Sequence, residues 1–152
     1  MRLYLMRHGQ AHPVAARDEL RELTPRGASE SRHIADIHLR QAFTRLWVSP
    51  YVRAQQTMAM VQEGAGLSGK VQTLRFITPD DDPQDVLDQL QPLTTEDGCY
   101  LIVTHQPLIG RLISLLVDGV DYPLGVDTSS IAVLDMPVVA SGCATLVARY
   151  SV

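Results

Sequence analysis

Residues 3–9 read LYLMRHG, and this short stretch decides the fold of the chain. Four consecutive apolar side chains are typical of a β-strand that is covered on both faces. The run ends at Arg7, His8 and Gly9, and cations and imidazoles rarely lie inside a core without a partner. We therefore predict a buried strand over Arg2–Met6 that carries Arg7 and His8 to the place where the core ends and a site begins.

Five further stretches have the composition of strands, and helical stretches alternate with the first four strands. The predicted strands are Arg2–Met6, Arg45–Ser49, Val71–Phe76, Cys99–Thr104, Ser130–Asp135 and Cys143–Tyr150. Alternation of this kind predicts a three-layer α/β/α sandwich with a mostly parallel sheet. No helix separates the last two strands, so we expect them to form an antiparallel C-terminal hairpin at one edge.

A proline marks the predicted beginning of each of the four helices. The helices are Thr24-Pro25 to about Gln41, Ser49-Pro50 to about Glu63 with Gly64 as its stop, one from Asp82-Pro83, and one from Gln106-Pro107. Ser49 and Asp82 are interpreted as N-caps. The third helix is predicted to bury Val86, Leu90 and Leu93, and the fourth to bury Leu108, Leu112, Leu115 and Leu116.

The totals indicate one ordinary globular domain spanning residues 1–152, with no substrate-enclosing insertion. A net charge of −4 argues against nucleic acid or an anionic membrane as a partner. Cys99 and Cys143 lie in apolar stretches and are interpreted as small core residues. No signal peptide or apolar run of spanning length is visible, so we expect a cytoplasmic protein, and a monomer.

Three polar motifs each follow a predicted strand. They are Arg7-His8-Gly9, then Ser49 to Arg53, and Thr104-His105-Gln106-Pro107. Ligands of open α/β sheets bind at the carboxyl ends of the strands, and parallel strands place all three motifs at one edge. Two arginines, two histidines and two helix N-termini at this edge suit an anion with several oxygens. Gly9 is expected to let the backbone approach the ligand closely, or to adopt a φ that other residues resist.

Phosphate binding alone does not require two histidines. One imidazole can attack phosphorus as a neutral nucleophile. The other can donate a hydrogen bond to a phosphoryl oxygen or shuttle a proton. Arg7, Arg53 and His105 can then stabilise the charge that develops on the phosphoryl oxygens without a metal or another cofactor.

The same residues form a family pattern. Arg-His-Gly after the first strand, Leu23-Thr24-x-x-Gly27, Ser-Pro-x-x-Arg-Ala-x-Gln-Thr from Ser49 to Thr57, and Thr104-His105 occur in the order of the histidine phosphatase superfamily, which the chain resembles. The short length, and the Thr-Ser-x-Ile-Ala pattern over residues 128–132, make it most similar to the small bacterial phosphohistidine phosphatases of the SixA type.

The resemblance implies a phosphoglycerate-mutase-like fold and a phosphatase that works through a covalent phosphohistidine on His8. It assigns Arg7, Arg53 and His105 to the phosphate pocket. The implied substrate is a histidine-phosphorylated signalling or phosphotransfer protein. Further substrate-binding candidates are Gly9, Arg21 and Gln106.

The chain departs from larger members of the superfamily in residues 77–83. Those members carry an acidic proton donor in an elaborated region after the third strand, and here this region is only a short loop. An open site suits a protein substrate. Cleavage of a P–N bond also depends less on general acid catalysis than cleavage of a P–O ester does. Asp80, Asp81 and Asp18 stay open as proton donors.

Three alternatives compete with this hypothesis. A small-molecule phosphomonoesterase or mutase needs a proton donor and a closed pocket. A non-catalytic phosphohistidine-binding module has no need of the nucleophile His8. A metallohydrolase built on His8, His12, His105 and residues 80–82 is disfavoured, because Pro13 follows His12 in a predicted loop.

Overall fold

Six strands form one sheet in the computed structural model, which describes all of residues 1–152. The strands are β1 (Arg2–Arg7), β2 (Arg45–Val48), β3 (Val71–Thr73), β4 (Cys99–Thr104), β5 (Ile131–Asp135) and β6 (Thr145–Tyr150). Their order across the sheet is β3-β2-β4-β1-β5-β6. The first four strands are parallel, whereas β5 runs antiparallel to β1 and β6 antiparallel to β5. The mostly parallel sheet with an antiparallel C-terminal edge hairpin confirms the predicted fold class.

Four helices cover the two faces of the sheet. They are α1 (Pro25–His38), α2 (Val52–Ala65), α3 (Pro83–Leu90) and α4 (Leu108–Asp118), and two short 3-10 turns span Asp18–Leu20 and Gln91–Leu93. None of the helices is both long enough and apolar enough to span a bilayer.

Strand β1 supplies side chains to both layers of helices. Leu3 and Leu5 pack in one core cluster with residues of α3 and α4, and Tyr4 and Met6 pack in the other with residues of α1 and α2. Successive side chains of a strand point to opposite faces, so a run that is apolar throughout belongs in a sheet covered on both sides. The predicted three-layer sandwich follows from this one strand.

The beginning of α2 differs from its prediction. The helix begins at Val52 with Tyr51 at the N-cap position, so Ser49 and Pro50 precede it instead of opening it. The Ser49 hydroxyl accepts only a long hydrogen bond of 3.3 Å from the backbone N–H of Tyr51. Ser49 is therefore not the N-cap, and its buried hydroxyl is free for another partner.

The end of α2 also differs. The helix continues through Gly64 to Ala65, and Gly66 caps it with a left-handed backbone that has a φ of 68°. A Cβ at Gly64 would overlap the backbone carbonyl of Arg32 in α1. Gly64 thus allows the two helices to pack closely, and the predicted stop at this residue is wrong.

Other boundaries moved by a few residues. Helix α1 ends at His38 rather than near Gln41, and β3 ends at Thr73 rather than at Phe76. Asp82 holds the N-cap position of α3 without a capping hydrogen bond from its side chain. Helix α4 begins at Leu108, directly after the cis peptide bond between Gln106 and Pro107.

Three burial predictions were wrong. Leu93 is 45% exposed because the chain leaves the α-helix at Leu90 and continues as a 3-10 turn, which changes the direction of its side chains. Cys143 is exposed in the loop before β6. Cys99 is half-buried at the beginning of β4, where the sheet meets solvent. Neither cysteine is a core residue.

Candidate active site

The three polar motifs meet at the carboxyl edge of β1, β2 and β4. The backbone N–H of His8 donates to the carbonyl of Thr104 (3.0 Å), which ties the end of β1 to the end of β4. The ring centroids of His8 and His105 lie 5.1 Å apart. Nε of Arg53, on the first turn of α2, lies 3.3 Å from Nε2 of His8. These side chains therefore lie close together in the structure, as predicted.

The backbone fixes the tautomer of His8. Its Nδ1 lies 2.7 Å from the carbonyl oxygen of Gly9, and a carbonyl can only accept. Nδ1 therefore carries the ring proton, and Nε2 keeps its lone pair. The Nε–H of Arg53 donates to that lone pair. In this structure Nε2 of His8 is therefore unprotonated, and its lone pair is engaged by Arg53.

Both histidines are neutral at physiological pH. Burial, together with the charges of Arg53 and Arg7, lowers the pKa of His8 to about 4. Burial also lowers the pKa of His105, to about 2, and the neighbouring His8 and Arg53 add to this effect. An imidazole must be neutral to act as a nucleophile, so the environment keeps His8 in its reactive form.

These pKa shifts predict a loss of stability in acid. The free energy of unfolding is expected to fall as the pH drops from about 6.5 towards 4, because the unfolded chain binds protons that the buried His8 and His105 refuse. Chemical denaturation at a series of pH values measures this slope. His8→Asn removes one of the two groups, and its slope should be shallower than that of the wild type. Equal slopes would contradict the assignment of His8 as a buried neutral group.

Asp18 links two arginines at the rim of the pocket. Arg53 donates from one terminal nitrogen to the backbone carbonyl of Asp18 (2.8 Å) and from the other to its carboxylate (3.1 Å). Arg21 donates to the second carboxylate oxygen (2.8 Å). Partial burial would raise the pKa of Asp18, but the two arginines outweigh it and hold the pKa below its ordinary value. A carboxylate held ionised orients Arg53 and is a poor proton donor.

Two buried side-chain nitrogens in the pocket have no hydrogen-bond partner. Arg7 donates from one terminal nitrogen to the carbonyl of Val126 (2.8 Å), yet its Nε makes no hydrogen bond. Nδ1 of His105 is likewise buried without a partner. Buried polar groups are nearly always paired, so the unpaired Nε–H of Arg7 beside His8 suits the binding of an anion. Burial also lowers the pKa of Arg7.

Gly9 holds the loop after β1 against the helices. Its N–H donates to Oγ1 of Thr57 (3.0 Å), and Thr57 donates in turn to the backbone carbonyl of Arg53 (2.7 Å). Its φ is not positive, so the predicted unusual φ is wrong. A Cβ at Gly9 would lie 2.6 Å from the carbonyl oxygen of Gly27 and from Oγ of Ser31, so close packing against α1 requires the glycine.

The outer candidates occupy different positions. The amide of Gln106 donates to the carbonyl of Leu124 and accepts from the N–H of Gly110, so both of its ends are engaged within the fold. The carboxylate of Asp81 accepts from the N–H and hydroxyl of Thr78. Asp80 is exposed and unpaired. A substrate role for Gln106 stays a prediction.

Sequence reasoning missed two residues that shape the site. The ring of Tyr51 lies edge-on to His105 with centroids 4.9 Å apart, and the guanidinium of Arg53 stacks over the same ring at 5.0 Å. Ser129 has a φ of 61°, and its N–H donates to the carbonyls of both Arg7 and His8 (3.1 Å each). Both lie inside the family motifs, which was the only available signal.

The structure contains no cluster of three histidine, cysteine or acidic side chains placed to hold a metal ion. His12 lies exposed in the loop after β1. The disfavoured metallohydrolase alternative, built on His8, His12, His105 and residues 80–82, is therefore not assembled.

Fold and pocket together define a phosphatase, in which an α/β/α sandwich presents donors for an oxyanion at the edge of its sheet. Residues 3–75 match the histidine phosphatase superfamily (branch 1). The chain is 38% identical over 135 residues to phosphohistidine phosphatase SixA of Escherichia coli, covering 87% of this chain and 83% of that protein. It belongs to the histidine phosphatase superfamily.

Two further comparisons point to the same group. A phosphohistidine phosphatase SixA homolog of Haemophilus influenzae is 32% identical over 145 residues, which is 88% of this chain and 87% of that protein. The structure of the protein histidine phosphatase SixA complexed with tungstate superposes with a TM-score of 0.88 at 35% identity, covering 99% of this chain and 97% of that one. The similarity therefore extends over nearly the whole chain.

Proposed function

We propose that this chain is a metal-independent protein phosphohistidine phosphatase, acting on histidine-phosphorylated signalling or phosphotransfer proteins. The observation that carries the proposal is the unprotonated Nε2 of His8, in a site where Nε of Arg7 and Nδ1 of His105 are buried without a partner. The similarity to SixA proteins, one of them solved with the oxyanion tungstate, supports the choice of substrate. We also propose that the chain is a single domain that acts as a monomer in the cytoplasm.

The first step transfers the phosphoryl group to the enzyme. The Nε–H of Arg53 moves from Nε2 of His8 to a phosphoryl oxygen, and the freed lone pair attacks phosphorus. The P–N bond of the substrate breaks at the same time, and its electron pair returns to the substrate nitrogen. The substrate imidazole leaves neutral when its other nitrogen is already protonated. Nδ1 of His8 keeps its proton in both steps, because that N–H donates to the Gly9 carbonyl. The phosphorylated ring is therefore cationic and is itself a good leaving group. Arg7, Arg53 and His105 donate to the phosphoryl oxygens.

The second step releases phosphate. Water attacks phosphorus, the bond from phosphorus to Nε2 breaks, and its electron pair restores neutral His8. The proton lost by water leaves with inorganic phosphate or enters solvent. The first step exchanges one P–N bond for another, and the second exchanges a P–N bond for a P–O bond. Neither step expels an alkoxide, so neither needs a general acid to protonate one.

The absence of secondary structure between β3 and α3 supports a protein substrate. Residues 74–82 connect these elements as a loop, and no helical subdomain intervenes. A phosphohistidine on the surface of another protein must project into the pocket, and no helical subdomain after β3 stands in its way. A small ester would gain little binding from such a site.

The test compares two substrates in excess EDTA. A histidine-phosphorylated phosphotransfer domain should lose its phosphate rapidly, whereas p-nitrophenyl phosphate should be hydrolysed slowly. Fast hydrolysis of the ester without action on phosphohistidine would move the function to small phosphomonoesters and make exposed Asp80 the acid to examine. Phosphate binding without turnover of either substrate would leave only a binding module.

A further inference from the structure

Ser49 is the buried polar residue that lies behind His105. It directly follows β2. Its backbone N–H donates to the carbonyl of Val103 (3.1 Å), and its own carbonyl accepts from the amide of Gln55 (2.9 Å). These bonds fix the backbone of Ser49 from both sides. Its Oγ then lies 2.6 Å from Nε2 of His105, the shortest hydrogen bond that either residue makes. Both side chains are fully buried.

The hydrogen-bond inventory gives this contact a direction. A serine hydroxyl donates one proton and accepts at two lone pairs. Oγ of Ser49 accepts from the N–H of Tyr51, and its one proton has no acceptor other than Nε2 of His105. With the hydroxyl donating, Nε2 is the unprotonated nitrogen and Nδ1 of His105 carries the ring proton.

The proton on Nδ1 of His105 is what allows this nitrogen to donate a hydrogen bond to a phosphoryl oxygen. Nδ1 of His105 is buried and has no partner within the protein. As an N–H it is a donor ready for a phosphoryl oxygen, whereas as a lone pair it would repel the same oxygen. The opposite tautomer would therefore oppose phosphate binding at this position.

We propose that Ser49 is a positioning residue that holds His105 in its Nδ1–H tautomer, so that the imidazole faces the phosphoryl group as a hydrogen-bond donor. The inference rests on the proposed function for its catalytic consequence. It goes beyond that function by assigning a task to a residue that contacts neither phosphorus nor substrate.

The two histidines then share one tautomer and perform opposite tasks. His8 has its Nδ1–H bound to the Gly9 carbonyl and turns its bare Nε2 into the pocket. His105 has its Nε2 bound to the Ser49 hydroxyl, which leaves its Nδ1–H without a partner in the protein. One ring is left as a nucleophile and the other as a donor, because different nitrogens are engaged by the protein.

The tautomer of His105 can be measured without a substrate. In ¹⁵N-labelled protein at neutral pH, a protonated ring nitrogen and a bare one resonate far apart, and loss of the signals in His105→Ala assigns them. We expect Nδ1 protonated and Nε2 bare in the wild type. A wild-type protein with Nε2 protonated overturns the proposal, whatever its activity.

Ser49→Ala tests the catalytic consequence. The variant should lose the defined Nδ1–H signature, and its kcat on a histidine-phosphorylated protein should fall about tenfold to a hundredfold, less than the loss of a whole donor. KM should change less than kcat, because the arginines still bind phosphate. In a His105→Ala background, Ser49→Ala should cause no further loss. A second full loss in that background overturns the proposal.

Ser114→Ala is the matched control. Ser114 is as buried as Ser49, and its hydroxyl also bonds within the fold, to the carbonyls of Arg111 and Tyr122. It should change neither the His105 spectrum nor kcat. If the wild type shows the Nδ1–H tautomer but hydrolyses no phosphohistidine, the proposed function fails while the role of Ser49 in setting the tautomer is supported.

Discussion

His8→Ala is expected to reduce hydrolysis of a phosphohistidine protein by about 10⁴-fold or more, the scale on which enzymes lose activity when a nucleophile is removed. The reason is structural: Nε2 of His8 is the bare imidazole nitrogen that the pocket presents, and Nδ1 is engaged with the Gly9 carbonyl. Wild-type enzyme mixed with ³²P-labelled substrate and quenched in alkali should carry label on His8. The variant should carry none.

Two controls separate the nucleophile from its surroundings. His33→Ala changes an exposed histidine of α1 and should leave both rate and labelling unchanged. His105→Ala should slow turnover yet still allow His8 to be labelled, because it removes a donor and not the attacking nitrogen. Residual activity within about a hundredfold of wild type in His8→Ala would contradict the covalent route, as would label on any other residue.

The layers of this fold were predictable because the relevant information is local. A strand over residues 3–6 that is apolar at every position must be covered on both faces, and alternating helices supply the cover. The strand order was not predictable, because pairings such as β1 with β4 join segments almost one hundred residues apart. Periodicity identifies which residues are buried, and it does not say which strand lies beside which.

Local rules failed where a distant partner competed for the same group. Ser49 before Pro50 reads as an N-cap, but its hydroxyl is engaged by His105, which lies 56 positions away. Gly64 reads as a helix stop, but α1 packs so closely there that only a glycine fits. Asp18 is open as a proton donor from its place in a loop, but Arg53 binds its carboxylate from 35 positions away. In each case a tertiary contact overrode a local preference.

The pocket was easier to predict than its supports. Arg7, His8, Arg53 and His105 have chemistry that is conspicuous at strand ends, so their convergence followed from the parallel sheet. The residues that orient them are a serine, a tyrosine and an aspartate, whose types are common in loops and turns. Their roles depend on hydrogen-bond directions, which become visible only once the atoms are placed.

Arg53→Lys is expected to lower kcat/KM by about a hundredfold to a thousandfold, although it keeps the positive charge. Nε of Arg53 lies 3.3 Å from the nitrogen that attacks phosphorus, and the two terminal nitrogens rest on Asp18. Asp18 therefore fixes the guanidinium beside His8, where the guanidinium can donate to the incoming phosphoryl group. A lysine supplies one flexible point charge and cannot bridge His8 and Asp18 together. Steady-state kinetics on a phosphohistidine protein measure the loss.

Arg111→Lys is the matched control, because Arg111 pairs with Asp121 and makes no hydrogen bond to a side chain of the pocket. An exposed ion pair contributes little to stability, so this variant should keep its full activity and nearly all of its stability. Thermal unfolding of Arg53→Lys should show that the variant is folded when its activity is lost. A folded Arg53→Lys enzyme within about fivefold of wild type would mean that charge alone suffices, and the bridging geometry of the guanidinium would then have no catalytic role.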